Sequence, residues 1–207
     1  MFAEDIAGNR KLIVEELAAT KRDGREKLVE FMDKYGFFDA ASASHDASRG
    51  GTANHSLWSL WFARDILKSI QRQHPDTDIP EDSLILACLC HDICNCNYPN
   101  IKDAEHGLRS REILIKTGFE FTDEELDAIA SHSSDTLPGA EEASSWLSSD
   151  LTSRLHCILH YSDARSIEFA DSIPFSAQPE HLADPVWNDA SVSCPSDRFI
   201  KHPSRWR

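Results

Sequence analysis

Glycine is scarce in this chain, with eight in 207 residues. Turn-dense all-β architectures draw on glycine's conformational freedom at many positions, so they lose ground at once. Long apolar runs are missing as well: no stretch approaches the roughly 20 residues that a bilayer-spanning helix needs. The opening stretch, MFAEDIAGNRK, is acidic where a secretory signal would be basic and then apolar, so a cytoplasmic location is expected. Positive charge is short: 21 Lys and Arg face 35 Asp and Glu, a formal charge of −14. That field repels a bare phosphate backbone, so duplex DNA is not an expected partner and neither is a membrane. A phosphate-bearing substrate held through bound metal stays compatible with it. No internal repeat is visible.

What is present points to one helical domain with an appendage. Apolar residues make up 41% and charged residues 27%, a composition that excludes a disordered or collagen-like chain. At this length the chain buries roughly 70% of its unfolded surface and needs no covalent staple. Helical periodicity dominates. Ile6, Ile13, Val14 and Leu17 form a loose stripe ending near Thr20, and Leu28, Phe31, Met32 and Tyr35 a tighter one. A longer helix is expected over about 54–69, with Leu57, Leu60, Trp61, Arg64 and Leu67 on one face. Pro80, Glu81 and Asp82 open a helix carrying Leu84, Ala87, Cys88 and His91. Asp103 can cap a segment reaching Lys116, with Gly118 as its stop. Thr122 and Glu125 form a capping box before Leu126 and Ile129, and Leu151, Leu155, Ile158, Leu159 and Ser162 mark the last helix. Three stretches are expected to be non-helical: 38–53, 133–149 and the tail from about 172, which holds five of the nine prolines.

Metal-ligating residue types recur near the ends of these helices. His55 lies at the start of one, His91 and Asp92 near the end of another, His106 in a first turn, His132 at an end and Asp163 on the last. Imidazoles and carboxylates suit borderline divalent metals such as iron, manganese, cobalt, nickel or zinc. Adjacent residues on a helix point about 100° apart, so His91 and Asp92 can serve one site only if that helix end faces it. A carboxylate there can bridge two ions through its two oxygens. Any one of these histidines alone would read as an ordinary surface or core residue.

The cysteines offer a rival chemistry. Cys88, Cys90, Cys94 and Cys96 crowd into nine positions, poor geometry for a disulfide framework. Thiolates could bind zinc or an iron–sulfur cluster, but on a continuous helix these side chains do not converge. Small buried hydrophobes are the plainer reading.

The order His, His-Asp, His, His, Asp resembles the HD-domain metal-dependent phosphohydrolase superfamily. The motifs that carry it are HDASRGGTANHSL at 45–57, LILACLCHDIC at 84–94, HGLRSREIL at 106–114, DEELDAIASHS at 123–133 and LHYSDARSIE at 159–168. The likeness is greatest to bacterial and phage HD hydrolases with a His…Gly-Gly…His-Ser loop, which HD-type exoribonucleases also share. Diadenosine tetraphosphate hydrolases share the two additional histidines.

The resemblance implies an all-α HD-domain bundle. It divides the chain into N-terminal helices at 1–36, an HD domain at 37–171 and an irregular Pro-rich tail at 172–207. It implies His55, His91, Asp92 and Asp163 as a minimal metal-ligand set, with His106 and His132 completing a second position and Asp92 bridging. The cofactor implied is a divalent metal, two ions, iron or manganese first and cobalt, nickel, zinc or magnesium after them. The reaction implied is hydrolysis of a phosphoester or phosphoanhydride by water activated on the metal. The partner is then a small phosphorylated molecule, with nucleotides in the class. His45 matches the loop His of the relatives and is a candidate general acid. Gly50 and Gly51 would let the backbone pass close to the ligand helices.

One position departs from the pattern. Relatives carry Lys three residues after the Asp, where this chain has Asn95. Arg109, three residues after His106, is the candidate replacement cation, with Lys102 second. The missing Lys would be unremarkable in a mixed-valent di-iron HD oxygenase, which some six-ligand HD proteins similar to this pattern are, and a non-catalytic nucleotide-binding HD domain is a third reading. The aromatic and basic tail, with Phe175, Trp187, Phe199 and Trp206, reads as a lid, a homo-oligomer contact or chain docked on the domain. Trp58, Trp61 and Phe62 read as core rather than a base-stacking platform.

Overall fold

The computed structural model describes residues 5–42, 48–97, 106–133 and 150–172, with side chains described as far as residue 169. Within them run seven α-helices: α1 (Ile6–Ala19), α2 (Arg25–Lys34), α3 (Gly51–Gln73), α4 (Glu81–Cys90), α5 (His106–Leu114), α6 (Asp123–Ser131) and α7 (Leu151–Ser172). Two 3₁₀ turns, Phe37–Asp39 and Ile93–Asn95, complete the regular structure. No strand occurs among the described residues.

The helices fall where apolar spacing puts them, and local chemistry sets their ends. Asp5 caps α1 by accepting the Gly8 backbone N–H at 2.9 Å, and Thr20 closes it. The capping box at α6 is complete: Thr122 Oγ1 accepts from Glu125 N at 3.2 Å, and Glu125 Oε2 accepts from Thr122 N at 2.9 Å. The helix α3 is longer than its apolar stripe, beginning at Gly51 rather than near residue 54 and running to Gln73. Its first turn, Gly-Thr-Ala-Asn, has no apolar periodicity to announce it. The chain enters it through Gly50 at φ +82°, a conformation that costs a residue with a Cβ about 1 kcal/mol or more. The helix α5 ends at Leu114, just short of the expected Lys116. Lys102, Asp103, the 134–149 part of the Ser-rich connection and the tail from residue 173 lie outside the described residues.

Two helices form the interior. Every residue of α4 from Ser83 to Cys90 is buried, as is every residue of α3 from Gly51 to Leu60. A helix apolar all round must be covered all round, and α4 is covered by α1, α3, α6 and α7. The helices α3 and α7 pack along each other, α5 lies on α6, and α6 on α7. One cluster of buried side chains runs from Ile13 and Leu17 of α1 through Leu28 and Met32 of α2 to Leu155, Ile158 and Leu159 of α7. Each such side chain contributes about 1.5–3 kcal/mol by leaving water.

Polar ties hold the frame at its rim. Arg64 of α3 forks onto both carboxylate oxygens of Glu16 at 2.7 Å and reaches Glu81 of α4 at 2.7 Å. Glu125, fully buried, accepts from Ser83 Oγ at 2.8 Å and from Arg22 Nη2 at 3.1 Å. It thereby joins α6 to α4 and to the α1–α2 connection. No helix among the described residues is long and apolar enough to cross a membrane.

Candidate metal centre

The interior helix α4 stops at the point the chemistry requires. It ends at Cys90, His91 keeps helical dihedrals as its cap, and Asp92 departs to φ −104°, ψ 20° before the 3₁₀ turn. The adjacent pair is therefore released from the divergence of consecutive helical residues. Both side chains sit at the end of a buried helix, where His55 of α3, Asp163 of α7, His132 at the C-terminus of α6 and His106 at the start of α5 meet them.

The six residues form one contiguous cluster. His55 Nε2 lies 2.9 Å from Asp163 Oδ1 and 3.2 Å from His91 Nε2. His91 Nε2 is 3.7 Å from the same Asp163 oxygen. The two oxygens of Asp92 have different nearest imidazoles among the six. Oδ2 stands 4.0 Å from His55 Nε2 and 3.9 Å from His91 Nε2, while Oδ1 stands 3.5 Å from His106 Nε2. His106 Nε2 in turn lies 2.8 Å from His132 Nε2. Two overlapping groups, His55–His91–Asp163 and His91–Asp92–His132, each bring one ligand atom per residue within 4.8 Å of the others.

The outer ring nitrogens explain why the inner ones converge. His91 Nδ1 donates to the Cys88 carbonyl at 2.9 Å, and His132 Nδ1 to the Ile129 carbonyl at 2.6 Å. A carbonyl can only accept, so the proton of each neutral ring sits on Nδ1 and the Nε2 lone pair faces the cluster. Backbone carbonyls in this role are the usual outer partners of metal-bound imidazoles. His160 Nδ1 of α7 adds a bond to the His132 carbonyl at 2.7 Å, tying the end of α6 to α7.

This donor set fits a divalent cation. Nε2 atoms lie 3.2 Å and 2.8 Å apart with carboxylates beside them, so each pair needs either a proton or a cation between its nitrogens. Without a metal, a proton takes that role. Burial alone would lower His91, but Asp92 and Asp163 outweigh it and push the imidazole up to about 9. Burial and the charge on His91 push His132 down to about 4. Burial would raise Asp163, but the adjacent His55 and His91 outweigh it and hold the carboxyl well below the usual carboxylate range. Asp92 is lowered too, burial being outweighed by the charges of His91 and His55.

The remaining candidates differ in placement. Asn95 Nδ2 donates to Asp92 Oδ2 at 3.3 Å, so the residue in the usual Lys position turns its amide onto a cluster carboxylate. Arg109 is partly buried on α5, and its Nε has no hydrogen-bond partner. It lies near enough to Cys94 to act on that thiol, and no hydrogen bond or ion pair among the described residues joins it to the six. His45 lies outside the described residues.

The thiolate alternative finds no support in this geometry. Neither group that could hold a metal contains a cysteine. Burial pushes the Cys88 thiol up to about 12 and Cys94 to about 11, the direction of inert core residues. Trp58 and Phe62 are buried and pack with Trp61 and Phe169, as expected of core.

Comparison with known proteins adds one finding. The family model described as HD domain matches residues 52–168, more than half of the chain. No curated protein and no solved structure matches it.

Proposed function

The chain belongs to the HD-domain family, and from that premise we propose that it is a phosphohydrolase using two divalent metal ions on a small phosphorylated substrate, nucleotides included. The HD superfamily consists mostly of metal-dependent phosphohydrolases. The observation that carries the proposal is the way Asp92 divides its oxygens between the His55–His91 side and the His106 side.

In this reading His55, His91, Asp163 and Asp92 would hold one ion, and His106 and His132 would hold a second with Asp92 shared. Divalent ions held there would supply Lewis acidity toward a phosphoryl oxygen and bring the pKa of a bound water toward roughly 7. They also invert the local field, which lets an acidic protein accept an anion. The protein's own part is positioning. Asn95 steadies Asp92. The His106 side chain is 41% exposed while those of His55 and His91 are nearly fully buried, so substrate enters from the α5 side. Arg109, one turn along α5, supplies the cation that Asn95 cannot, meeting charge as it develops on the phosphoryl group. His45 protonates the leaving oxygen.

Asn95 favours one alternative, the di-iron oxygenase, which needs no lysine there. A single experiment separates the two. The full chain is loaded with Mn²⁺ or Fe²⁺, and phosphate release is followed across nucleotides and sugar phosphates, with oxygen consumption measured on the reduced iron form. Phosphate release that disappears in Asp92→Ala supports hydrolysis. Oxygen uptake without phosphate release replaces it with the oxygenase, and neither activity overturns both.

A further inference from the structure

One buried hydroxyl joins two of the proposed ligands from behind. Ser166, three residues after Asp163 on α7, donates its proton to the Asp163 carbonyl at 2.8 Å. A serine bonding back to its own helix is common and by itself means little. Here the same oxygen lies 2.9 Å from His55 Nδ1, across the α3–α7 interface, and receives Ser59 Oγ at 3.2 Å. Ser59 and Ser166 are buried, as is His55.

The hydrogen count fixes the direction of each bond. A serine hydroxyl has one proton and two lone pairs. The proton is committed to the Asp163 carbonyl and one lone pair takes the Ser59 proton, so the other can only accept from His55 Nδ1–H. We infer that Ser166 is a positioning residue of the metal centre, which holds His55 in the Nδ1–H tautomer with Nε2 directed at the ion and locks the turn bearing Asp163 to the helix bearing His55. The inference rests on the metal-centre reading above and extends it to a residue outside the ligand set. Where His91 and His132 rely on carbonyls of their own helices, His55 is oriented by a side chain of another helix, and that side chain can be removed.

Without the hydroxyl, Nδ1–H loses the acceptor that Ser166 supplies. The ring then gains by moving its proton to Nε2 and donating it to Asp163 Oδ1, already 2.9 Å away. That tautomer cannot bind an ion through Nε2. Loss of an outer partner of this kind costs about 10–100-fold in metal affinity.

The test uses the full chain and Zn²⁺ alone. Affinity is measured by chelator competition in the wild type, Ser166→Ala, Ser166→Thr and His55→Ala, and the His55 tautomer is read from histidine ¹⁵N shifts in the zinc-loaded wild type. The expected results are Nδ1 protonated in His55, affinity about 10–100-fold weaker in Ser166→Ala, and recovery in Ser166→Thr. Should Ser166→Ala not fold, the wild-type tautomer decides: zinc on Nδ1 of His55 overturns the inference. Wild-type affinity in Ser166→Ala, with affinity lost in His55→Ala, also overturns it while leaving the metal centre intact. Affinity unchanged in His55→Ala overturns the metal centre itself.

Discussion

His106 Nε2 lies 2.8 Å from His132 Nε2 because the backbones of α5 and α6 nearly touch at the residue after His106. A Cβ placed on Gly107 would stand 2.5 Å from the Ala130 carbonyl oxygen and 2.8 Å from that of Ile129. Those oxygens are backbone and cannot swing aside, so only glycine allows this approach. The Ile129 carbonyl is also the group that orients the His132 ring.

Gly107→Ala therefore pushes α5 away from α6 and opens the His106–His132 pair, leaving His55, His91 and Asp163 in place. Overpacking of this kind costs about 1–3 kcal/mol, a loss the fold can bear. Elemental analysis is expected to show one of two metal ions retained. Full occupancy of both would contradict the placement of the second ion.

Glu125 joins three parts of the chain through a buried carboxylate. Glu125→Ala removes the acceptor for Arg22, Ser83 and the Thr122 backbone together, and is expected to destabilise the protein by roughly 2–3 kcal/mol. Denaturant melts read this directly. Loss below about 0.5 kcal/mol, the size of an ordinary surface change, would reduce these contacts to bystanders.

Metal loading is expected to depend on pH through His91. Its folded value is raised from 6.5 to about 9, so in the metal-free protein this group contributes stability fully below about pH 6.5 and loses that contribution as pH rises through 9. An ion must displace that proton. Zn²⁺ affinity should thus climb with pH up to about 9, with about one proton released per chain from this ring near pH 7.5. His132, pushed down to about 4, is already neutral there and releases none, and the depressed Asp92 and Asp163 stay ionised. Calorimetry in two buffers of different ionisation enthalpy counts the protons; zero would contradict the account.

Arg109→Ala is expected to lower kcat/KM for a phosphorylated substrate by about 100-fold, the usual cost of losing a charge-stabilising donor. Metal content should not change, because no hydrogen bond or ion pair among the described residues joins Arg109 to the six. Partial recovery in Arg109→Lys would mark the effect as charge. Equal activity in all three proteins would remove Arg109 from the mechanism.

The helices and the cluster were legible in the sequence to different depths. Apolar spacing announces α2, α4, α6 and α7, and the capping box at Thr122 announces where α6 begins, because both signals lie within a few neighbouring residues. The start of α3 carries no such signal, since Gly51, Thr52, Ala53 and Asn54 are buried without being apolar. The six clustered residues were readable from their order along the chain, which the HD resemblance made specific. Ser166 was not: its partner His55 stands 111 residues away, and nothing in a serine distinguishes this one. Gly107 was readable as part of a His-Gly motif but not as the contact that brings two helices together. Asn95 was visible as a departure from the family pattern, yet only the fold turns its amide toward Asp92.

Metal content decides the central claim most directly. Protein purified without chelator or metal-affinity resin should carry about two divalent ions per chain, falling to one in His132→Ala and to none in Asp92→Ala, whose carboxylate is proposed to serve both positions. One ion in the wild type, unchanged in His132→Ala, would contradict a two-metal centre and reduce it to His55, His91, Asp92 and Asp163.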